Sequence, residues 1–150
     1  MEFETTTCIV PEYHELLLTY AKRCDLPVSK FVISLINYAA SLEKKKKKPF
    51  KNIRYRKRSG KEWERMHLCL SFHEYEFLLD MKKLWKMSVA LLIEFCIENV
   101  LEEFVEALLK EEHPYSYRFM HYTFDFSSVY GMPSYRCIWG LPPEIVAKTL

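Results

Sequence analysis

Residues 66–100 read MHLCLSFHEYEFLLDMKKLWKMSVALLIEFCIENV, and residues 5–39 read TTTCIVPEYHELLLTYAKRCDLPVSKFVISLINYA. The two stretches align without a gap at an offset of 61 residues, the separation of Cys8 and Cys69. At that offset Ile9 meets Leu70, Glu15 meets Glu76, Leu17 and Leu18 meet Leu78 and Leu79, and Lys22 meets Lys83. Phe31 then meets Leu92, Val32 meets Ile93 and Ile36 meets Ile97. The match lies mainly in hydrophobic pattern. A strand-like run, a helix start, a turn and a second helix recur in one order, which predicts two copies of one small unit.

The later copy is the clearer. Met66, Leu68 and Leu70 alternate with Arg65, His67 and Cys69, the pattern of a half-buried strand. Ser71 and Glu74 form S-x-x-E, a capping box at a helix start. Tyr75, Leu78, Met81, Lys82 and Trp85 mark the first helix. Ser88 can cap the next, whose stripe is Val89, Leu92, Ile93, Cys96, Ile97, Val100, Phe104 and Leu108. That stripe predicts one long helix reaching Glu112 and stopped by Pro114. In the earlier copy Phe3–Ile9 reads as the strand, and Pro11 suits a first helical position, where its missing N–H is not needed. Tyr13, Leu17, Tyr20, Ala21 and Cys24 share one helical face; Asp25-Leu26-Pro27 breaks it. Val28, Phe31, Val32, Leu35, Ile36, Ala39 and Leu42 form a second stripe.

The chain has 150 residues, 49% of them hydrophobic and 15% aromatic, enough to build the core of one domain or of two very small units. A net charge of +2 hides a bipolar distribution. Lys44–Lys61 holds eleven basic residues and no acidic one, while Glu94–Glu112 is strongly acidic. The predicted organisation is a first unit at 1–43, a basic linker at 44–63, a second unit at 64–112 and an aromatic tail at 113–150. In the tail Tyr115–Phe126 alternates, Gly131 and Pro133 mark a turn, Tyr135–Trp139 suits a strand, and Pro142–Leu150 a short helix.

Five scattered cysteines without a CxxC pair read as buried free thiols in a reducing compartment, and their spacing does not suit zinc. His14, His73, His113 and His121 have no partner at ligand spacing and read as surface or packing residues. There is no apolar run of membrane-spanning length and no secretory h-region at the acidic N-terminus, so the expected location is cytoplasmic, with no membrane partner. With three glycines there is no Gly-rich phosphate loop, and no nucleophile elbow or metal-binding helix motif appears. The expectation is a protein that is no enzyme and uses no metal or cofactor.

The strand, helix, turn, helix unit over Thr5–Ala39 and Met66–Val100 resembles the ribbon-helix-helix superfamily of bacterial repressors, the Met and Arc repressor type. Asp25-Leu-Pro-Val-Ser-Lys-Phe-Val and Lys86-Met-Ser-Val-Ala-Leu-Leu-Ile stand for the family's small or polar residues followed by an apolar pair. Asp25 and Lys86 occupy the turn position where the family often has glycine, which a left-handed backbone favours. The resemblance implies a mainly α fold. It would be a tandem ribbon-helix-helix pseudo-dimer, a two-stranded antiparallel ribbon plus four helices, with an aromatic C-terminal extension. A linker of about 20 residues can extend to roughly 65 Å, enough to cross such a domain. The implied partner is double-stranded DNA, and the implied task is transcriptional repression or plasmid and mobile-element control.

By the offset, Thr5, Thr7 and Ile9 point inward with Met66, Leu68 and Leu70. Thr6, Cys8, Arg65, His67 and Cys69 then form the outward face that would meet base edges in the major groove. A one-residue slip of the first strand would expose Thr5 and Thr7 instead. Arg65 suits guanine; Glu4, at the matching position, suits a cytosine amino group, so the two half-sites should differ. The second-helix N-termini, Val28 and Ser29 in one copy and Ser88 and Val89 in the other, offer N–H groups to phosphate, unequally because Pro27 lacks a donor. Arg54, Arg56, Lys57 and Arg58 in the basic stretch, interleaved with Phe50, Ile53 and Tyr55, are further phosphate candidates. A solvated linker and a nuclear targeting run are alternative readings of that stretch. Glu94, Glu98, Glu102 and Glu106 form a stripe that must face away from DNA. Two alternatives stand beside DNA binding: an antitoxin-like interaction module whose tail, Tyr115–Trp139, docks a protein partner or another copy, and a helical assembly protein that binds no DNA.

Overall fold

The computed structural model describes residues 2–42, 53–55, 62–110 and 122–139. They belong to two compact units, Met1–His113 and Pro114–Leu150. Among the described residues there are five helices and two two-stranded antiparallel sheets, so the fold is mixed α and β rather than mainly α. The second sheet comes from the tail.

The first unit runs β1 (Glu2–Ile9), α1 (Pro11–Arg23), α2 (Val28–Ser41), β2 (Glu64–Ser71), α3 (Phe72–Trp85), α4 (Val89–Asn99) and α5 (Leu101–Leu109). β1 pairs antiparallel with β2 from Glu2 opposite Ser71 to Ile9 opposite Glu64. Thr6 lies opposite His67, its own counterpart at the 61-residue offset. The pair Glu4–Cys69 maps by the same offset onto the pair Cys8–Arg65. The whole register therefore maps onto itself about an axis through Thr6 and His67. Alternation gives the ribbon two faces. Thr7, Ile9, Met66, Leu68 and Leu70 are buried, while Glu2, Glu4, Thr6, Arg65, His67 and Cys69 are exposed. The first strand does not slip.

The helix starts follow their local chemistry. Pro11 opens α1 directly after an extended Val10. Ser71 opens α3 with both halves of a capping box, its hydroxyl accepting from the Glu74 N–H while the Glu74 carboxylate accepts from the Ser71 N–H. The turns between helices match as well. Asp25 has φ 56° and Lys86 φ 53°, so both copies hold a left-handed residue at the same offset without a glycine.

The core crosses between the copies. β2 packs on α1 and α2, β1 packs on α3 and α4, and α2 packs on α4. Leu17, Phe31, Leu35, Ile36, Leu68, Leu70, Leu78 and Leu92 are fully buried there. Neither copy could bury its apolar faces alone.

Three expectations need correction. The predicted long helix from Val89 to Glu112 is two helices, broken at Val100, whose φ is −134° and ψ −2°. The Asn99 side-chain amide donates to the Phe95 carbonyl at 2.8 Å, a local bond that competes with regular helix geometry at that point. The break lets α5 turn onto α2, where Phe104 packs edge-on against Phe31 at 5.3 Å and beside Tyr38 at 5.4 Å. In consequence α2 is not an amphipathic stripe: every residue from Phe31 to Ala39 is buried. The cysteines form no disulfide, but only Cys96 is buried; Cys69 and Cys137 are exposed and Cys8 and Cys24 half-buried.

The described residues of the second unit, 122–139, form a hairpin. β3 (Tyr122–Val129) pairs antiparallel with β4 (Met132–Trp139), so the second strand starts three residues before the predicted Tyr135. Tyr130 and Gly131 form its two-residue loop, both at positive φ (51° and 77°), as a type I′ turn requires. Phe126 lies opposite Tyr135 with ring centroids 5.2 Å apart, and both are 62% exposed. The predicted helix at Pro142–Leu150, the run Tyr115–His121 and His113 lie outside the described residues.

Candidate nucleic-acid interface

All five residues expected on the base-reading face, Thr6, Cys8, Arg65, His67 and Cys69, lie by alternation on one side of the ribbon, Cys8 half-buried and the other four exposed. At the centre, His67 Nδ1 lies 3.3 Å from Thr6 Oγ1 and 2.9 Å from a Glu4 carboxylate oxygen. A proton on Nδ1 is donated to Glu4. Arg65 sits two pairs along, opposite Cys8, and Glu4 two pairs the other way, opposite Cys69. Glu4 belongs to this face as much as Arg65 does; once Thr6 is paired with His67, the alternation fixes that placement.

The face is not basic overall. Glu2 and Glu4 share it with Arg65 and His67, while Glu64, exposed at the end of β2, belongs by alternation to the opposite face. Glu64 is partnered by His14, its carboxylate 2.7 Å from Nδ1, which ties His14 to the ribbon's end. The strands by themselves would offer little attraction to a phosphate backbone.

Two flanking helix starts sit next to the ribbon. The Cys69 N–H donates to Ser29 Oγ at 2.8 Å, which fastens the start of α2 to the edge of β2. α2 has no side-chain cap, and Pro27 contributes no N–H, so Val28 and Ser29 carry the first-turn donors there. At α4 the groups are more committed. The Ser88 hydroxyl accepts from the Leu91 N–H at 3.3 Å, and the Ser88 N–H donates to the Arg54 carbonyl at 2.8 Å. Val89, the next residue, opens the helix with an N–H that has no intrahelical partner.

Part of the basic linker is built into the fold. The Arg54 N–H donates to the Lys86 carbonyl at 2.9 Å, and Arg54 forms a parallel bridge with Met87. Arg54 is thus strapped by its backbone beside the left-handed turn and the start of α4, and the burial of its Nε and Nη2 does not favour the phosphate role expected of it. Arg56, Lys57 and Arg58 lie outside the described residues.

Elsewhere the chemistry is quiet. Tyr13 donates its hydroxyl to Glu98 at 2.9 Å, which, with some burial and the charges of Glu98 and Glu94, holds its phenol above the ordinary value. Tyr13, Tyr20, Glu98, Glu102 and Glu103 line a cleft of about 520 Å³ whose carboxylates would repel nucleic acid. The Cys96 thiol is pushed up to about 12 by burial and stays protonated at neutral pH. Among the described residues no cluster of three His, Cys, Asp or Glu could hold a metal, and no helix is long and apolar enough to cross a membrane.

No protein-family model, no curated protein and no solved structure matches the chain.

Proposed function

We propose that residues 1–113 form a single-chain ribbon-helix-helix pseudo-dimer that binds double-stranded DNA, as a transcriptional repressor or a plasmid or mobile-element control protein does. One observation carries this reading: Thr6 pairs with its own repeat counterpart His67, so the strands of two copies meet as a twofold ribbon. Such a ribbon has the width to enter a major groove and present Thr6, Cys8, Arg65, His67 and Cys69 to base edges. The starts of α2 and α4 would contact phosphates on either side, and the basic linker would add sequence-independent attraction.

The direct test is a salt titration of binding to random-sequence duplex. Affinity should fall linearly on a log–log plot, and replacing Arg56, Lys57 and Arg58 by Gln should flatten the slope by about 0.9 for each phosphate no longer neutralised. Binding that ignores salt, or no binding at low salt, would rule the reading out.

A second reading has its own observation. The hairpin of the second unit exposes Phe126, Tyr130, Met132 and Tyr135. Exposed aromatic and methionine side chains are the composition of protein-docking surfaces, which favours an antitoxin-like arrangement with a protein partner at the tail. Co-purification of a partner that is lost on replacing Phe126 and Tyr135 by Ser would support it.

A further inference from the structure

We propose that the ribbon reads DNA in one direction only: its site is not a palindrome, because Arg65 meets guanine in one half while Glu4 meets a cytosine amino group in the other. This rests on the reading of the ribbon as a major-groove element and adds what that element recognises. The axis through Thr6 and His67 makes Glu4 and Arg65 equivalent positions, since 65 − 61 = 4. Their chemistry is opposite. A guanidinium only donates, and an ionised carboxylate only accepts. Guanine O6 and N7 are acceptors that suit Arg65 and repel Glu4; cytosine N4 is a donor that suits Glu4.

The consequence for the DNA is definite. In a palindrome, the two contacted guanines lie on opposite strands. Replacing one of them by cytosine moves its guanine partner to the other strand. The preferred site therefore carries both guanines on the same strand.

Two contacts support this direction. The Glu4 carboxylate is held 2.9 Å from His67 Nδ1 on the axis, so it is positioned rather than loose, and its second oxygen keeps capacity to accept. His67 is thus a positioning residue for Glu4. The Ser29 hydroxyl that accepts from Cys69 has no equivalent in the other half, where the offset places Ala90. The α2 start is therefore pinned to the ribbon edge beside Glu4 by a bond the α4 start cannot make.

The experiment is selection of duplexes from a random library with the full chain, followed by anisotropy titration of the recovered site and its variants. The expected motif lacks twofold symmetry, and converting the Glu4 half to its palindromic form should weaken binding roughly 5- to 150-fold. Glu4→Arg should reverse that preference and favour the palindrome. Glu4→Gln, which keeps the size of the side chain, should shrink the discrimination in that half alone, as should His67→Ala. A palindromic motif for the natural chain, or retention of DNA without sequence preference, would overturn the inference and leave DNA binding standing. Retention of no duplex at any salt concentration would remove both.

Discussion

The first and second copies of the repeat share a backbone plan and differ in nearly every polar detail. Both place a left-handed residue at the helix–helix turn, Asp25 and Lys86, and both bury the same face of their strand. The start of their first helix is handled differently: Pro11 after Val10 in one, a complete Ser71–Glu74 capping box in the other. Equivalent positions 13 and 74 each reach a second helix of the opposite copy. Tyr13 donates to Glu98 near the surface, whereas Glu74 is only 1% exposed and accepts from Lys30. Among the described residues an extra helix, α5, follows the second copy alone. Packing geometry, then, is what the repeat preserves, and the polar surface is free to diverge.

The largest single-residue effect should come from α5. Phe104→Ala removes a buried ring from between Phe31 and Tyr38 and should cost about 3–5 kcal/mol in denaturant unfolding. A cost below about 1 kcal/mol would mean α5 is peripheral and α2 does not depend on it.

The paired positions 13 and 74 give the next contrast. Glu74→Ala removes the acceptor shared by the Ser71 N–H and the Lys30 ammonium and should cost about 2 kcal/mol, the Lys30 share reduced because that side chain is one-third exposed. Tyr13→Phe should cost less than about 1 kcal/mol. Its signature is in pH. The folded phenol titrates above its ordinary value, so its contribution is present below the unfolded pKa near 10 and lost as pH rises through the folded one. Tyr13→Phe should remove that alkaline loss, as measured by stability at stepped pH.

The smallest effect is a gain. Lys86→Gly should stabilise by about 0.5–1 kcal/mol, because a positive φ strains a lysine and does not strain a glycine. Asp25→Gly should gain less, since Asp tolerates that conformation better than most residues. Equal gains would show that the two turns are under the same strain.

Much of this was legible from the sequence because the signals are local. Pro11, the Ser71–Glu74 box, the alternation of Arg65–Leu70 and the Asp25 and Lys86 turns each act within a few residues. The outward set on the ribbon followed from the same alternation. The break at Val100 was not legible: no glycine or proline marks it, and the apolar stripe runs through it. The all-round burial of α2 was hidden for a different reason. Its cover, α5, lies far along the chain, and Phe104 has to turn back through that break to reach Phe31. The Glu4–His67 pair was also missed. It requires the strand register, which the internal offset constrains only once the two strands are known to meet at Thr6 and His67.

The central claim is that neither copy is a fold by itself and that β1 and β2 complete one another across the Thr6–His67 axis. The most direct measurement is the folding and mass of a fragment spanning Met1–Glu43, by circular dichroism and sedimentation. That fragment keeps Phe31, Leu35 and Ile36 but lacks β2, α4 and α5, which pack on α2. The fragment should be unfolded, or fold only as a dimer that supplies the missing strand from a second molecule. A stable, cooperatively folded monomer would contradict the account.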